Sequence, residues 1–227
     1  ERHAHAISKG ARPKLITLGV IPTIAPYYLP AFFENLSGSK EQGSVHWQIL
    51  EEKTETVLEK LDNGAIDAAI MVVPETGIDH AYIRLFDDAL YFAASEAHPF
   101  SKKEFVTLQE ISDEDWLLLD EGHCLNMPML QVCNQSKGHP ERNSFRATSL
   151  ETLRHMVAHG SGVTLIPEMA QRRDDGIAYV PIKSSHPFKR EICFVWRENA
   201  LYSQALKAMG SYLSSLTCPN FSEQKAA

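Results

Sequence analysis

Long apolar runs are missing from this sequence, and so is the apolar core of a signal peptide. No apolar stretch reaches the roughly 18 to 20 residues that a membrane-spanning helix requires. Residues 1–5 are charged or histidine apart from one alanine, which is unlike the start of a secreted precursor. We therefore expect a cytoplasmic protein with no membrane segment.

An excess of positive charge is also missing, because 29 acidic residues stand against 22 basic ones and the formal net charge is −7. A surface that binds nucleic acid by itself has to neutralise phosphates with lysine and arginine. We therefore do not expect this chain to bind DNA by itself.

Cysteine is scarce as well, and the four cysteines are too unevenly spaced for the disulfide framework of a small secreted domain. They are Cys124, Cys133, Cys193 and Cys218. We expect thiols in a reducing compartment. No spacing of cysteine and histidine is typical of a zinc site, so the sequence predicts neither a metal nor a cofactor.

The apolar residues that are present, 44% of 227, suffice for one large core or two smaller ones. Apolar patterns predict strands at 14–20, 45–50 and 68–73, with helices at 26–36 and 54–64 between them. This first unit is βαβαβ. Two short strands are predicted to follow it, at 83–86 and 90–94.

The pattern then begins again with strands at 116–119, 145–147, 163–166 and 177–181, and with helices after Cys124 and from Ser149 to Gly160. The last strand, 191–196, and the last helix, 203–216, return to the first unit. We predict an α/β fold of two Rossmann-like lobes joined by two crossovers, with a ligand cleft between them. The predicted parts are a linker or remnant of a longer chain (1–13), lobe I (14–88 and 191–216), lobe II (89–190) and a tail (217–227).

Cys124 is predicted to lie just after a strand and just before a helix. Unpaired backbone N–H groups and the positive end of the helix dipole favour a thiolate there, and His123 adds to this effect if it is protonated. Cys133 lies nine positions further on, about 13.5 Å away in a continuous helix, whereas a disulfide needs Cα atoms about 4.4 to 6.8 Å apart. A bond between the two cysteines therefore requires this segment to refold.

Three more polar residues lie where strands are predicted to end at the cleft. Thr23 and Thr54 follow the first and second strands, where a hydroxyl either caps a helix or donates to the leaving oxygen of a peroxide. Arg197 follows the returning strand and either approaches Cys124 or is solvated. His123 either joins the same pocket or satisfies a buried hydrogen bond.

Several motifs resemble the regulatory domain of OxyR-type peroxide sensors in the LysR family of transcription regulators. They are Gly122-His123-Cys124-Leu125 with Cys133, the block 146–154, Ile21-Pro22-Thr23, and Leu61-Asp62-Asn63-Gly64 with Asp67. The likeness covers residues 14–216. It implies a two-lobed fold similar to periplasmic binding proteins.

The resemblance also implies the chemistry. Cys124 is expected to be the peroxidatic cysteine, oxidised by hydrogen peroxide to a sulfenic acid, and Cys133 the resolving cysteine that forms a disulfide with it. Thr23, Thr54 and His123 are expected to hold the peroxide, with Arg197 as a further candidate. Asn126-Met127-Pro128 departs from the Arg-Asp-Gln common in the family, so one cation near Cys124 is missing.

The resemblance further implies a transcription activator rather than an enzyme, with glutaredoxin or thioredoxin as the reductant. Family members bind DNA through an amino-terminal winged helix-turn-helix that is absent here, so this domain is expected to form a homodimer and the full-length protein a tetramer. Two alternatives remain open. The chain is either a LysR-type domain that binds a small metabolite in the cleft, or a cysteine peroxidase that turns over.

Overall fold

The structure is a computed structural model that describes residues 15–37, 45–74, 77–126, 145–185 and 188–216. It divides into two compact units. Lobe I contains the described residues up to Phe86 and those from Glu191 onward, and lobe II contains Asp87–Arg190. The chain passes between the lobes twice, as the predicted α/β fold with two crossovers requires.

Lobe I is a sheet with helices, built in the predicted βαβαβ order. Its strands are β1 (Leu15–Val20), β2 (His46–Glu51), β3 (Ala68–Val72), the first part of β4 (Ala81–Ser95) and the second part of β10 (Lys189–Trp196); its helices are α1 (Ala25–Ser37), α2 (Thr54–Asp62) and α5 (Ser203–Ser215). Strand β1 lies between β2 and β3 and is parallel to both, and β10 pairs antiparallel with β3. The prediction that the last strand returns to the first unit is confirmed.

The core of lobe I follows from its apolar patterns. Residues 68–71 of β3 are all buried, as expected for a strand that is covered on both faces. On α1, Phe32 is fully buried, and its ring lies 5.2 Å from that of Trp47 on β2. Aromatic contacts of this kind fasten the helix to the sheet.

Lobe II contains shorter elements around the second part of β4. They are β5 (Val106–Thr107), α3 (Leu108–Ile111), β6 (Leu118–Leu119), β7 (Arg146–Ala147), α4 (Leu150–Ala158), β8 (Thr164–Pro167), a 3₁₀ helix (Glu168–Ala170), β9 (Ile177–Lys183) and the first part of β10. Strand β4 pairs antiparallel with both β8 and β9. A separate parallel pair, β6 with β7, carries the segment that leads to Cys124.

Two predictions about these elements are wrong. The two short strands predicted at 83–86 and 90–94 form one continuous strand, β4. Thr54 does not cap α2, because the N-cap residue is Lys53 and Thr54 is the first helical residue. By contrast, the predicted start of α4 at Ser149 is confirmed, because the Ser149 side chain caps this helix by accepting a hydrogen bond from the Thr152 N–H at 3.2 Å.

The helix predicted after Cys124 lies outside the described residues beyond Asn126, and so do Cys133 and Cys218. Within the described ranges, no helix has the length and apolar character needed to cross a membrane.

Candidate functional site

A tight turn after β6 carries Cys124. Gly122 has φ +85°, in the left-handed region that glycine adopts without the steric cost of a side chain. The Asp120 N–H donates to the Ala147 carbonyl at 2.8 Å and fixes the start of the turn to β7. The turn therefore presents Cys124 at a defined place at the end of β6.

The side chain of Asn126 ties the end of this turn back to its beginning. Its Nδ2 donates to the carbonyl oxygens of Leu119 at 3.1 Å and Asp120 at 2.7 Å. The Asn126 N–H also donates to the His123 carbonyl at 3.1 Å. Asn126 stands where family members commonly have an arginine. In this chain its side chain closes the turn around Cys124.

Cys124 lies next to a buried arginine. Nη1 of Arg190, at the lobe II end of β10, donates to Sγ of Cys124 at 3.5 Å. Arg190 is only 5% exposed, whereas Cys124 is half-buried. A guanidinium at this distance stabilises negative charge on sulfur, and partial exposure lets a small oxidant reach it.

Asp88 of β4 holds the other side of the same guanidinium. Its Oδ2 accepts hydrogen bonds from Nε of Arg190 at 2.9 Å and from Nη2 at 2.8 Å, and its Oδ1 accepts from the Met169 N–H at 3.1 Å. Asp88 is 1% exposed. Burial raises the pKa of Asp88 above its ordinary value, and the charge of Arg190 and the Met169 N–H act against this rise.

The pKa of Arg190 is raised above its ordinary value. Burial alone would lower it, but the charge of Asp88 and then the sulfur of Cys124 outweigh that effect. Arg190 therefore stays charged at every physiological pH, and its charge is shared between a carboxylate and the sulfur.

His123, which precedes Cys124 in the sequence, is buried and faces Asp120. Its Nε2 lies 2.9 Å from Oδ1 of Asp120, and the histidine is 6% exposed. When the ring is protonated, this distance makes an ion pair. The turn thus contains a second pair of titratable groups next to Cys124.

The other predicted site residues lie in lobe I. Thr23 follows β1 and is 1% exposed, and Oγ1 of Thr54 is a buried atom with no hydrogen-bond partner among the described residues. Arg197 donates through Nη1 to the carbonyls of Leu61 and Ile66, the latter at 3.0 Å. Arg197 thus closes the turn after α2 within its own lobe, and its predicted peroxide contact stays a prediction.

Sequence reasoning missed Arg190 and Asp88, which lie 66 and 36 positions from Cys124. The basic pair Lys189-Arg190 falls just outside the strand predicted at 191–196, and the acidic pair Asp87-Asp88 falls between two predicted strands. An acidic pair and a basic pair on two neighbouring strands was the available signal. In the part of the chain that the structure covers, no three His, Cys, Asp or Glu side chains form a group that could hold a metal ion.

Comparison with known proteins shows the family to which this chain belongs. The model of the LysR substrate binding domain matches residues 9–216. A hydrogen peroxide-inducible genes activator of Dickeya chrysanthemi is 38% identical over 183 residues, which are 79% of this chain and 59% of that protein. The DNA-binding transcriptional dual regulator OxyR of Escherichia coli is 36% identical over the same shares of the two chains. The chain thus spans less than two thirds of these relatives.

Solved structures of OxyR resemble the whole fold. The reduced form of OxyR has a TM-score of 0.77 and 31% identity, and the match covers 89% of this chain and 95% of that one. The oxidised form has a TM-score of 0.76 with the same identity and coverage. A hydrogen peroxide-bound cysteine-to-serine mutant of Corynebacterium glutamicum OxyR has a TM-score of 0.77 and 30% identity, covering 90% of this chain and 64% of that one. The chain therefore belongs to the LysR substrate binding domain family and, within it, resembles the regulatory domains of OxyR proteins.

Proposed function

We propose that this chain is the hydrogen peroxide-sensing regulatory domain of a LysR-type transcription regulator, with Cys124 as the sensing residue. The observation that carries the proposal is the 3.5 Å contact between Nη1 of Arg190 and the half-buried Sγ of Cys124. The thiolate, not the thiol, attacks peroxides, and a fixed guanidinium favours it. Similarity to peroxide-inducible activators and to a peroxide-bound OxyR supports the choice of oxidant.

The first step oxidises the sulfur of Cys124 by two electrons. The thiolate attacks one oxygen of hydrogen peroxide, a sulfur–oxygen bond forms, and the oxygen–oxygen bond breaks to release hydroxide. The product is a sulfenic acid. Hydrogen-bond donors directed at the leaving oxygen speed such a step, and Thr23, Thr54 and His123 are the proposed donors.

The second step closes a disulfide. The Cys133 thiol attacks the sulfenic sulfur, a sulfur–sulfur bond forms, and the hydroxyl group leaves as water after taking the thiol proton. A dithiol reductant such as glutaredoxin or thioredoxin then returns both cysteines to thiols. The disulfide then persists until such a reductant resets it, so in the proposal the domain reports on peroxide as a sensor and does not turn over by itself.

The proposed output lies in the whole regulator. A winged helix-turn-helix outside this chain would bind DNA, and this domain would pair with a second copy and assemble as a tetramer in the full-length protein. Refolding between Cys124 and Cys133 would change a subunit interface and so the arrangement of the DNA-binding domains, activating transcription in the cytoplasm.

Mass spectrometry after one equivalent of hydrogen peroxide tests the proposal. We expect a loss of about 2 Da that maps to peptides containing Cys124 and Cys133, as a disulfide requires. Cys193→Ser is the matched control, because Cys193 is fully buried in lobe I. An unchanged mass would favour a domain that binds a metabolite, and many turnovers with a simple thiol would indicate a peroxidase.

A further inference from the structure

We infer that Asp88 is a positioning residue for the oxidation of Cys124 and that it acts through Arg190. This inference rests on the proposed function of Cys124. Asp88 contacts Arg190 and the backbone N–H groups of Met169 and Glu168. The contact of Arg190 with the sulfur is made by a different nitrogen from the two that face Asp88.

The shape of the guanidinium explains how a carboxylate directs it. The group is planar and rigid, and its Nε and Nη2 both contact Oδ2 of Asp88, on the side of the guanidinium opposite Nη1. Once that edge is fixed, the direction of Nη1 is fixed as well, and it is the nitrogen that meets Sγ of Cys124. Without Asp88, the several rotatable bonds of the Arg190 side chain would let Nη1 point in other directions.

Asp88 is itself held in place. Its Oδ1 accepts from the N–H of Met169 in the 3₁₀ helix, and the Met169 sulfur lies 3.5 Å from Nη2 of Arg190. The carboxylate therefore needs both oxygens as acceptors. An asparagine has one acceptor oxygen and cannot serve Arg190 and the Met169 N–H together.

Asp88 affects negative charge on the sulfur of Cys124 in two opposing ways. As a negative charge, Asp88 disfavours a nearby thiolate, whereas as an anchor it keeps the positive charge of Arg190 against the sulfur. Among the described residues, the ionisable groups near the network are Tyr91 and Glu168 on the Asp88 side and the Asp120–His123 pair in the turn. An arginine that loses its buried partner is strongly disfavoured in its buried position. We therefore expect the anchoring effect to be the larger.

The test compares alkylation of Cys124 by iodoacetamide at a series of pH values, in a background with the other three cysteines replaced by serine. Asp88→Asn should slow alkylation at pH 7 by about 3- to 30-fold and shift its half-maximal rate to higher pH, since about 3% thiolate in an unperturbed thiol sets the limit. Arg190→Gln should act in the same direction. Asp88→Glu, which keeps the carboxylate, should recover most of the wild-type rate.

Asp87→Asn is the matched control. Asp87 is the preceding residue on β4, and its partner is Lys189, a side chain that is 41% exposed. This variant removes the same charge one position away and should alkylate like the wild type. Asp88→Asn combined with Arg190→Gln should be no slower than Arg190→Gln alone, because the two residues act on the sulfur through one contact.

Faster or unchanged alkylation in Asp88→Asn would overturn the inference, since a charge effect alone raises the rate and a merely structural role leaves the pH profile in place.

A second measurement needs no change at Asp88. In ¹⁵N NMR of the wild type, the Nε–H of Arg190 should exchange with water at least about tenfold more slowly than that of the exposed Arg172; equal exchange would contradict a fixed guanidinium. Alkylation uses no peroxide, so a wild type that alkylates but forms no sulfenic acid refutes the proposed function and still decides the role of Asp88.

Discussion

Arg190 and Cys124, 66 positions apart in the sequence, meet with Nη1 and Sγ at 3.5 Å. The arginine comes from the strand that returns to lobe I, at its last residue within lobe II. The cysteine comes from the turn after β6. Both residues belong to lobe II.

Replacing Arg190 with glutamine should slow the oxidation of Cys124 by hydrogen peroxide. The substitution removes the Nη1 donor and the positive charge beside Sγ, and we expect the rate to fall by up to about 30-fold at pH 7, the factor between about 3% and full thiolate. Stopped-flow measurement of the second-order rate constant checks this. Arg172→Gln, which breaks an exposed ion pair with Glu151, is the control, and an equal rate in wild type and Arg190→Gln would remove Arg190 from the mechanism.

Replacing Thr54 with valine separates a structural hydroxyl from a functional one. The Oγ1 atom is buried and has no hydrogen-bond partner among the described residues, so its removal should leave the thermal midpoint of unfolding unchanged or raised. If it donates to the leaving oxygen of peroxide, the same change should slow oxidation by about tenfold or more. Thr56→Val, two positions further along α2, is the control; a lowered midpoint with an unchanged rate would make Thr54 structural.

Replacing Gly162 with alanine should destabilise lobe II. An added Cβ would overlap the Asp115 carbonyl oxygen and lie 3.0 Å from the Leu117 side chain, at the point where Val163 bonds to Asp115 and Leu117. We expect a loss of about 1 to 3 kcal/mol in the free energy of unfolding. Chemical denaturation measures it against Gly77→Ala, where a Cβ meets nothing within 4 Å. Equal losses in the two variants would mean that backbone conformation, not overlap, sets the cost.

Tyr179 should make the domain less stable at high pH. Burial and the hydrogen bond to Asp175 raise the pKa of Tyr179 above its ordinary value. The stabilisation that Tyr179 gives to the folded state is therefore complete below pH 10, where Tyr179 is protonated in both the folded and the unfolded chain. It is lost as the pH rises toward the pKa of Tyr179 in the folded chain, because the unfolded chain releases the proton first.

Urea unfolding between pH 8 and pH 11 measures this effect against Tyr179→Phe. The wild type should lose stability more steeply than the variant above about pH 10, the ordinary pKa of tyrosine. Parallel pH profiles would mean that Tyr179 titrates alike in the folded and unfolded chains.

The alternating elements of lobe I could be predicted because their signal is local. The buried run at 68–71 and the helical spacing of Val57 and Leu61, both buried on α2, depend on neighbours a few positions away. Periodicity cannot show what a strand pairs with at a distance. The sequence nevertheless predicts the return of 191–196 to lobe I, because this strand and the last helix are left over once the second α/β unit is complete.

The continuous strand β4 could not be predicted, because Asp87 and Asp88 interrupt its apolar pattern. The buried aspartate is stabilised there by Arg190, 102 positions away, and by the N–H of Met169. The same pairing brings the arginine to Cys124. The cysteine, its histidine neighbour and the two threonines are predicted site residues on the basis of residue type and motif, whereas the contact of Arg190 with the sulfur depends on tertiary packing.

Trapping the sulfenic acid in a Cys133→Ser variant tests whether hydrogen peroxide oxidises Cys124. The variant is treated with one equivalent of hydrogen peroxide in the presence of dimedone, and the adducts are mapped by mass spectrometry. We expect a dimedone adduct on Cys124, formed many times faster than in the same variant carrying Arg190→Gln. An unmodified Cys124 after the peroxide has been consumed, or equal labelling of the buried Cys193, would contradict this expectation.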